Sequence, residues 1–395
     1  MSKTLLVLGA SFYQLDTINT AKRLGYRVVV TDNVPANPGH SIADASYVVD
    51  TTDRAAVLDL ARRERISGII APCTDVAVPT AAHVAERLNL PGPPEASADI
   101  LCSKLLFREF LSNHGLPYPQ MHRLNHGRPL DPSLFTAGPW VMKPDRSSGS
   151  KGIFIISSEA EFSQRLPETL AFSPTRSGIL ERFIDGHQGT CEGILKNGRL
   201  AMTWVMDRMT ADPPYVVTRG QNLPTRLSAT VCASLFEVLE RIFAILRVTD
   251  GPFDCDFVVS SEGVFILEMT PRLGGNSIGP LLHKACGFDL VDYGIRQACQ
   301  DNPRLPTELH TRPSTVVLLG TSQPGKLHYD REEAARLARE PWVDSLAFDV
   351  AVGEPVLPFI NGRHRVGQAF VHGHDRDELD AHVEELQRRL DVRAD

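Results

Sequence analysis

Two short segments of alternating residues around a four-residue polar turn constrain this chain more than any other stretch. Residues 253–259 alternate about Asp254 and Asp256, Ser260-Ser261-Glu262-Gly263 makes the turn, and residues 264–269 return with Glu268. Side chains alternate across a strand, so Asp254, Asp256 and Val258 share one face. Pairing the segments as a hairpin brings Asp256 and Glu268 side by side. Two such carboxylates resist ionising together, and Mg²⁺, which favours carboxylates plus phosphate oxygens, removes the conflict. Arg272, four residues after Glu268, would meet a developing anionic charge. An ordinary hairpin with a solvated polar face fits the same residues, and this stretch alone does not choose between the two.

Residues 1–94 alternate strand and helix. An apolar strand at 4–8 ends at Gly9, and Leu15, Ile18, Ala21 and Leu24 recur at helical spacing up to Gly25. Strands follow at 26–30, 47–49 and 68–71, with helices at 55–65 and 76–88. Such alternation predicts a parallel sheet with helices on both faces and ligands at the carboxyl ends of its strands. Gly9-Ala10-Ser11-Phe12 lacks the G-x-G-x-x-G spacing, and no G-x-x-x-x-G-K-[ST] occurs, so neither phosphate loop is expected. Asp32, at a strand end, would hold a ribose or cap a turn.

Leu90-Pro91-Gly92-Pro93-Pro94 is a stiff linker. Lys104 lies in the helix beyond it, and Lys143 in a short strand at 139–144. Residues 145–153 form a Ser/Gly loop with Lys151. Its N–H groups can wrap a polyphosphate, and Gly149 and Gly152 permit close approach; a hairpin tip has the same composition. Residues 178–184 read as a strand whose backbone would meet a base edge and whose Glu181 would accept from an exocyclic amine. Residues 207–226, with Pro213, Pro214, Arg208, Arg219 and Arg226, read as an irregular polar loop facing a substrate. Residues 227–246 form an amphipathic helix that belongs to the core. A helix begins just beyond Gly274-Gly275, offering free N–H groups to an anion. Residues 314–395 read as a smaller α+β unit.

Composition narrows the partners. The net charge of −7 over 395 residues argues against sequence-independent nucleic-acid binding. No apolar run is long enough to span a bilayer, and the first residues lack a leader pattern. Seven scattered cysteines, with no C-x-x-C pair, suit reduced thiols in a cytoplasm. His372 and His374 have no third ligand that would make a metal site.

In this order the features resemble the ATP-grasp superfamily, in the branch holding biotin carboxylase, the carbamoyl-phosphate synthetase halves and the L-amino-acid ligases. The resemblance covers nearly the whole chain and implies an α/β fold with α+β parts. Its divisions would be an N-terminal parallel-sheet αβ domain (1–94), a central nucleotide-gripping domain (95–305) with a mobile lid subdomain at about 120–185, and a small C-terminal α+β domain (306–395). It implies ATP phosphates held by Lys104, Lys143 and a lid at 147–153, including Ser148, Gly149, Ser150, Lys151 and Gly152. Adenine would be read by Glu181, Phe183 and Ile184, and the ribose held by Gln188. Mg²⁺ (or Mn²⁺) would sit on Asp256, Glu268 and Thr270, and Arg272 would act with Glu268 in catalysis by steadying an acyl phosphate. Arg219, Arg226, Gly274 and Gly275 would face substrate. Thr270 stands where the family usually has Asn, Asp256 where Glu is commoner, and Gln188 where Glu is usual. The implied function is an ATP-dependent ligase joining a small-molecule carboxylate to an amine through an acyl phosphate, with ADP and phosphate as products. An ATP-dependent carboxylase using carboxyphosphate, and a non-catalytic nucleotide-binding regulatory module, are the alternatives. Relatives are often homodimers.

Overall fold

A strand covered by helices on both faces has no polar side, and β1 (Thr4–Leu8) is buried at every position. It pairs in parallel with β2 (Arg27–Thr31) and β4 (Gly68–Ile70), and β3 (Ala45–Tyr47) adds to β2, giving the order β3-β2-β1-β4. The connections are α1 (Leu15–Arg23), the single turn α2 (Gly39–Ile42) and α3 (Arg54–Glu64), and α4 (Val78–Leu88) follows β4. The computed structural model describes residues 2–125, 130–136, 138–211 and 215–395. Residues 126–129 and 137, within the expected lid subdomain, and 212–214, with Pro213 and Pro214, lie outside the described residues.

Beyond the proline linker, α5 (Glu95–Leu101) and α6 (Lys104–Asn113) lead into a second, antiparallel sheet. It comprises β5 (Met121–Leu124), β6 (Trp140–Pro144), β7 (Phe154–Ile156) and β8 (Gly178–Arg182), ordered β5-β8-β6-β7, with α7 (Glu159–Ala171) packed on it. Leu124, Trp140, Met142, Phe154 and Phe162 form its own small core.

The largest sheet takes strands from the rest of the chain. These are β9 (His187–Lys196), β10 (Arg199–Thr210), β11 (Thr218–Leu223), β12 (Gly251–Ser260), β13 (Gly263–Thr270) and β14 (Ser314–Leu319). Helix α8 (Ala229–Leu246) precedes β12, and α9 (Ile278–Cys286) and α10 (Leu290–Ala298) follow β13. The chain ends with β15 (Gly325–His328), α11 (Arg331–Leu337), β16 (Val343–Phe348), β17 (Pro355–Val356), β18 (Gly367–His372), α12 (Arg376–Leu390) and β19 (Arg393–Ala394). Eight strands join in the order β13-β12-β9-β10-β11-β14-β18-β16, and β17-β15-β19 make a small separate sheet. Among the described residues no helix is long and apolar enough to cross a membrane.

The hairpin forms as its alternation predicts: Asp256 stands opposite Glu268 and Asp254 opposite Thr270, with a register shift between Asp256 and Phe257. One expectation changes. Half of residues 207–226 is strand, because β10 continues to Thr210 and β11 covers Thr218–Leu223. Asp207, Thr218, Gln221 and Asn222 are buried there, so the polar composition belongs to the interior of a sheet and not to a loop. Of the C-terminal strands, β14, β18 and β16 extend the large sheet, while β15, β17 and β19 form the small one. β14 bonds antiparallel to β11, from Gly220 opposite Val317 to Leu223 opposite Ser314, so one sheet runs from the acidic hairpin to β16.

Candidate active site

The carboxyl ends of the N-terminal strands, the small antiparallel sheet and the acidic hairpin border one cleft of about 630 Å³. That volume suits a nucleotide together with a small second molecule. Asp256 and Glu268 line it, and each meets a cation from another element. Arg208 Nη1 lies 3.0 Å from Asp256 Oδ2, and Lys104 Nζ 2.9 Å from Glu268 Oε1. Thr190 Oγ1 donates to Asp256 Oδ1 at 2.7 Å and accepts from Gln221 Nε2 at 2.9 Å. The two carboxylates keep 26% and 32% of their side chains exposed, which leaves them open to a ligand in the cleft. Among the described residues no three His, Cys, Asp or Glu group together as a metal cage. Two carboxylates on one floor instead fit Mg²⁺, whose shell is completed by water and phosphate oxygens.

Lys104 opens α6. Its predecessor Ser103 caps the helix by accepting from Leu106 N–H, and donates its own hydroxyl to Asp145 Oδ1 at 2.7 Å. Burial opposes the charge on Lys104, yet Glu268, Asp75 and Asp145 outweigh it and raise its pKa. Lys143 reaches the cleft from β6 and pairs with Glu181 on neighbouring β8. Arg108, fully buried in α6, donates from Nε to Glu181 Oε2 at 2.9 Å and from Nη2 to Leu267 O at 2.7 Å. Burial pushes the Glu181 carboxyl up, but Arg108 and then Lys143 outweigh it and hold it below the usual range. Both Glu181 oxygens are thus engaged by cations, so the amine expected at Glu181 meets a carboxylate already committed to Lys143 and Arg108. Burial lowers the Lys143 pKa, with Arg108 and Lys104 adding to the effect against Glu181. Phe183, Ile184 and Gln188 line the same cleft.

Ser148, Gly149, Ser150 and Lys151 also line it, whereas a side chain at Gly152 would point at Phe172. Gly149, Ser150 and Gly152 all have left-handed backbone, at φ +71°, +58° and +70°, which explains the glycines. The loop is docked: Gly362 N–H donates to Gly149 O at 3.1 Å, and Tyr13 O–H donates to Gly362 O at 2.7 Å. Burial and then the nearby Arg363 charge lower the Lys151 pKa, so two cations from different parts of the chain flank the cleft mouth.

Arg272 is clamped. Its Nε and Nη2 donate to Asp75 Oδ1 at 3.0 and 2.5 Å, and its Nη1 to Asp254 Oδ2 at 2.6 Å. Burial opposes its charge, but Asp75 and Asp254 prevail and raise its pKa further. Burial also pushes Asp254 up to about 6, against the pull of Arg272. Thr270 turns to this cluster, donating to Asp75 Oδ1 at 3.1 Å, and is not on the cleft lining. The hydroxyl expected beside Asp256 and Glu268 is therefore spent on orienting Asp75. Gly275 lines the cleft, and Gly274 N–H donates to buried Glu192 Oε1 at 2.9 Å.

A Cβ on Gly274 would lie 2.2 Å from Glu192 Oε2. Gly274→Ala is therefore expected to cost about 1–3 kcal/mol and to shift the Arg272–Gly275 backbone. A lower urea midpoint checks this, and a parental midpoint would mean that the loop yields freely. The two remaining arginines stand elsewhere. Arg226 bonds Asp377 at 2.5 Å and Asp380 at 2.8 Å on α12, off the cleft lining. Arg219 lies 4.4 Å over the Phe359 ring, also off the lining.

Asp75, Glu192 and Arg108 complete the site without having been singled out from sequence, together with Asp254 and Arg208, which the sequence marked only as part of the hairpin face and of the polar 207–226 segment. Asp254 shared the acidic face of the hairpin, and Asp75 follows a predicted strand end, where ligands gather. Nothing local marks Arg108 or Glu192.

The family model for the ATP-grasp domain matches residues 136–279, and that for the ATP-grasp N-terminal domain residues 18–92. A formate-dependent phosphoribosylglycinamide formyltransferase of Paraburkholderia xenovorans (strain LB400) is 30% identical over 284 residues, covering 68% of each chain. Among solved structures, the L-amino acid ligase from Bacillus licheniformis superposes with a TM-score of 0.80 at 18% identity, over 99% of this chain and 98% of that one. The N5-carboxyaminoimidazole ribonucleotide synthetase from Thermotoga maritima gives 0.74 at 20% identity, over the whole of both chains.

Proposed function

Because this chain belongs to the ATP-grasp family of ATP-dependent ligases, we propose that it joins a small-molecule carboxylate to an amine through an acyl phosphate, converting ATP to ADP and phosphate. One observation carries the reading: Asp256 with Glu268, Lys104 with Lys143, and clamped Arg272 converge from separate elements on a single cleft under a docked glycine-rich loop.

Lys104 and Lys143 hold the phosphates, and lid N–H groups at residues 148–151 wrap them. Phe183, Ile184 and Gln188 form the base and ribose end. Asp256 and Glu268 would hold Mg²⁺, which when bound would supply positive charge against the negative charge of phosphoryl transfer. The substrate carboxylate attacks that phosphoryl group beside Arg272, whose guanidinium stabilises the negative charge of the acyl phosphate. Asp75 and Asp254 fix the guanidinium plane, so Arg272 needs no reorganisation when the charge develops. The amine then attacks the acyl carbon and phosphate leaves. Closure of the Ser147–Lys151 loop, bonded through Gly149 to Gly362, excludes the water that would hydrolyse the intermediate. The seven cysteines, free in the structure, support assignment to a reducing compartment, the cytoplasm.

The test is nucleotide product analysis over a panel of amino acids and small acids, with and without Mg²⁺. The expected result is Mg²⁺-dependent ADP and phosphate release stimulated by one acid–amine pair. AMP and diphosphate would overturn the acyl-phosphate route. ADP release driven by bicarbonate alone would move the chain to the carboxylases, and tight ATP binding without turnover under any pair would favour a regulatory module.

A further inference from the structure

Glu192 projects from β9 into the layer beneath Arg272 and is fully buried. Its Oε1 accepts from Gly274 N–H, and its Oε2 is buried without a hydrogen-bond partner among the described residues. Across the strand pair its register partner is Asp254. Asp254 Oδ2 accepts from Arg272, while Asp254 Oδ1 is likewise buried and unpartnered. These two oxygens belong to directly opposed carboxyls on one face of the strand pair. Two carboxylates are acceptors only and cannot satisfy one another, whereas a carboxylic acid donates to a carboxylate. Arg272 bonds Asp254 and Asp75, and among the described residues no cation bonds Glu192. The groups that face Glu192 are Asp254, Arg272, Cys191 and Cys73, of which only Arg272 is a cation, and its three nitrogens are committed.

We propose that Glu192 is a neutral carboxylic acid at working pH, donating its proton to Asp254 Oδ1, and that it acts as the positioning residue which fixes Asp254 on Arg272 and the Gly274-Gly275 backbone beside it. Burial and the neighbouring Asp254 charge raise the Glu192 pKa far above the carboxylate range, in keeping with the geometry. The positioning role rests on the reading of Arg272 given above; the location of the proton does not.

Glu192→Gln keeps both bonds, its amide N–H toward Asp254 and its carbonyl toward Gly274 N–H. Its turnover is expected within about threefold of the parent. Glu192→Met leaves Asp254 Oδ1 and the Gly274 amide unpartnered and is expected to lose at least about tenfold in kcat. Infrared difference spectra at neutral pH should show a protonated-carboxyl C=O stretch in the parent that is absent from Glu192→Gln. Should Glu192→Met fail to fold, the Gln variant and the infrared band decide. A folded Glu192→Gln protein as impaired as Glu192→Met, or no carboxylic-acid band lost on substitution, would overturn the proposal. The infrared readout needs no substrate. A band present without ligase turnover counts against the functional reading alone, and turnover without the band counts against this one alone.

Discussion

Glu268→Gln is expected to lower Mg²⁺-dependent ADP formation by about 10²–10³-fold while leaving the chain folded. Glu268 stands at the junction of three tasks. It faces Asp256 across the hairpin, holds Lys104 at 2.9 Å, and opens a third of its side chain to the cleft. The amide keeps the shape but removes the negative charge. Lys104, whose raised pKa depends first on Glu268 after burial, keeps Asp75 and Asp145 nearby and still donates to Ser147 O at 3.3 Å. The fold therefore tolerates the change, with an expected stability loss of about 1–2 kcal/mol from the weakened buried hydrogen bond. Turnover and Mg²⁺ titration, measured beside a urea melt, separate the two effects. Parental turnover with unaltered Mg²⁺ dependence would remove Glu268 from the metal floor.

Arg108→Met is expected to destabilise the chain by about 3–5 kcal/mol, the largest stability effect here. Arg108 has no exposed side-chain surface, and Glu181 retains 2%. Without the guanidinium, Glu181 keeps only Lys143, and Leu267 O loses its side-chain donor. An uncompensated buried carboxylate then either stays charged at high cost or takes up a proton, and either outcome weakens its hold on Lys143. Adding Glu181→Gln to Arg108→Met removes that stranded charge and should recover a substantial part of the loss. Urea midpoints of the two single variants and the double variant measure the coupling directly. A single Arg108→Met variant within about 0.5 kcal/mol of the parent would mean that water reaches Glu181.

The acidic hairpin was legible because its alternation, turn and two carboxylates all lie within 18 residues, 253–270. Strand register then fixed Asp256 against Glu268. Glu181 was legible as a position but not in its state, since one of the two cations that engage it, Arg108, is 73 residues away on a separate helix. Residues 207–226 misled for a definite reason. Asp207, Gln221 and Asn222 look like loop residues, yet they are buried in strands and bond across the sheet, as Asn222 does to Thr315 at 2.6 Å. Arg226 followed the same error outward, since its partners Asp377 and Asp380 are more than 150 positions on. Pairing of β11 with β14 leaves no local trace at all, because an edge partner is chosen by register and not by composition.

That pairing sets a length scale for catalysis. Gly362, the landing point of the lid, sits in the connection that enters β18, while Asp256 lies on β12; both strands belong to the same hydrogen-bonded plate. Strands bonded edge to edge do not hinge against one another, so the span between landing point and carboxylates is built in before any nucleotide arrives. On the proposed reading the loop closes over the nucleotide, and where it stops is decided elsewhere. On that same reading the cleft works as a calliper, with one jaw fixed at the acidic hairpin and the other position stamped by the C-terminal strands, and the polyphosphate that fits would be gauged by the plate rather than by the packing of the loop itself.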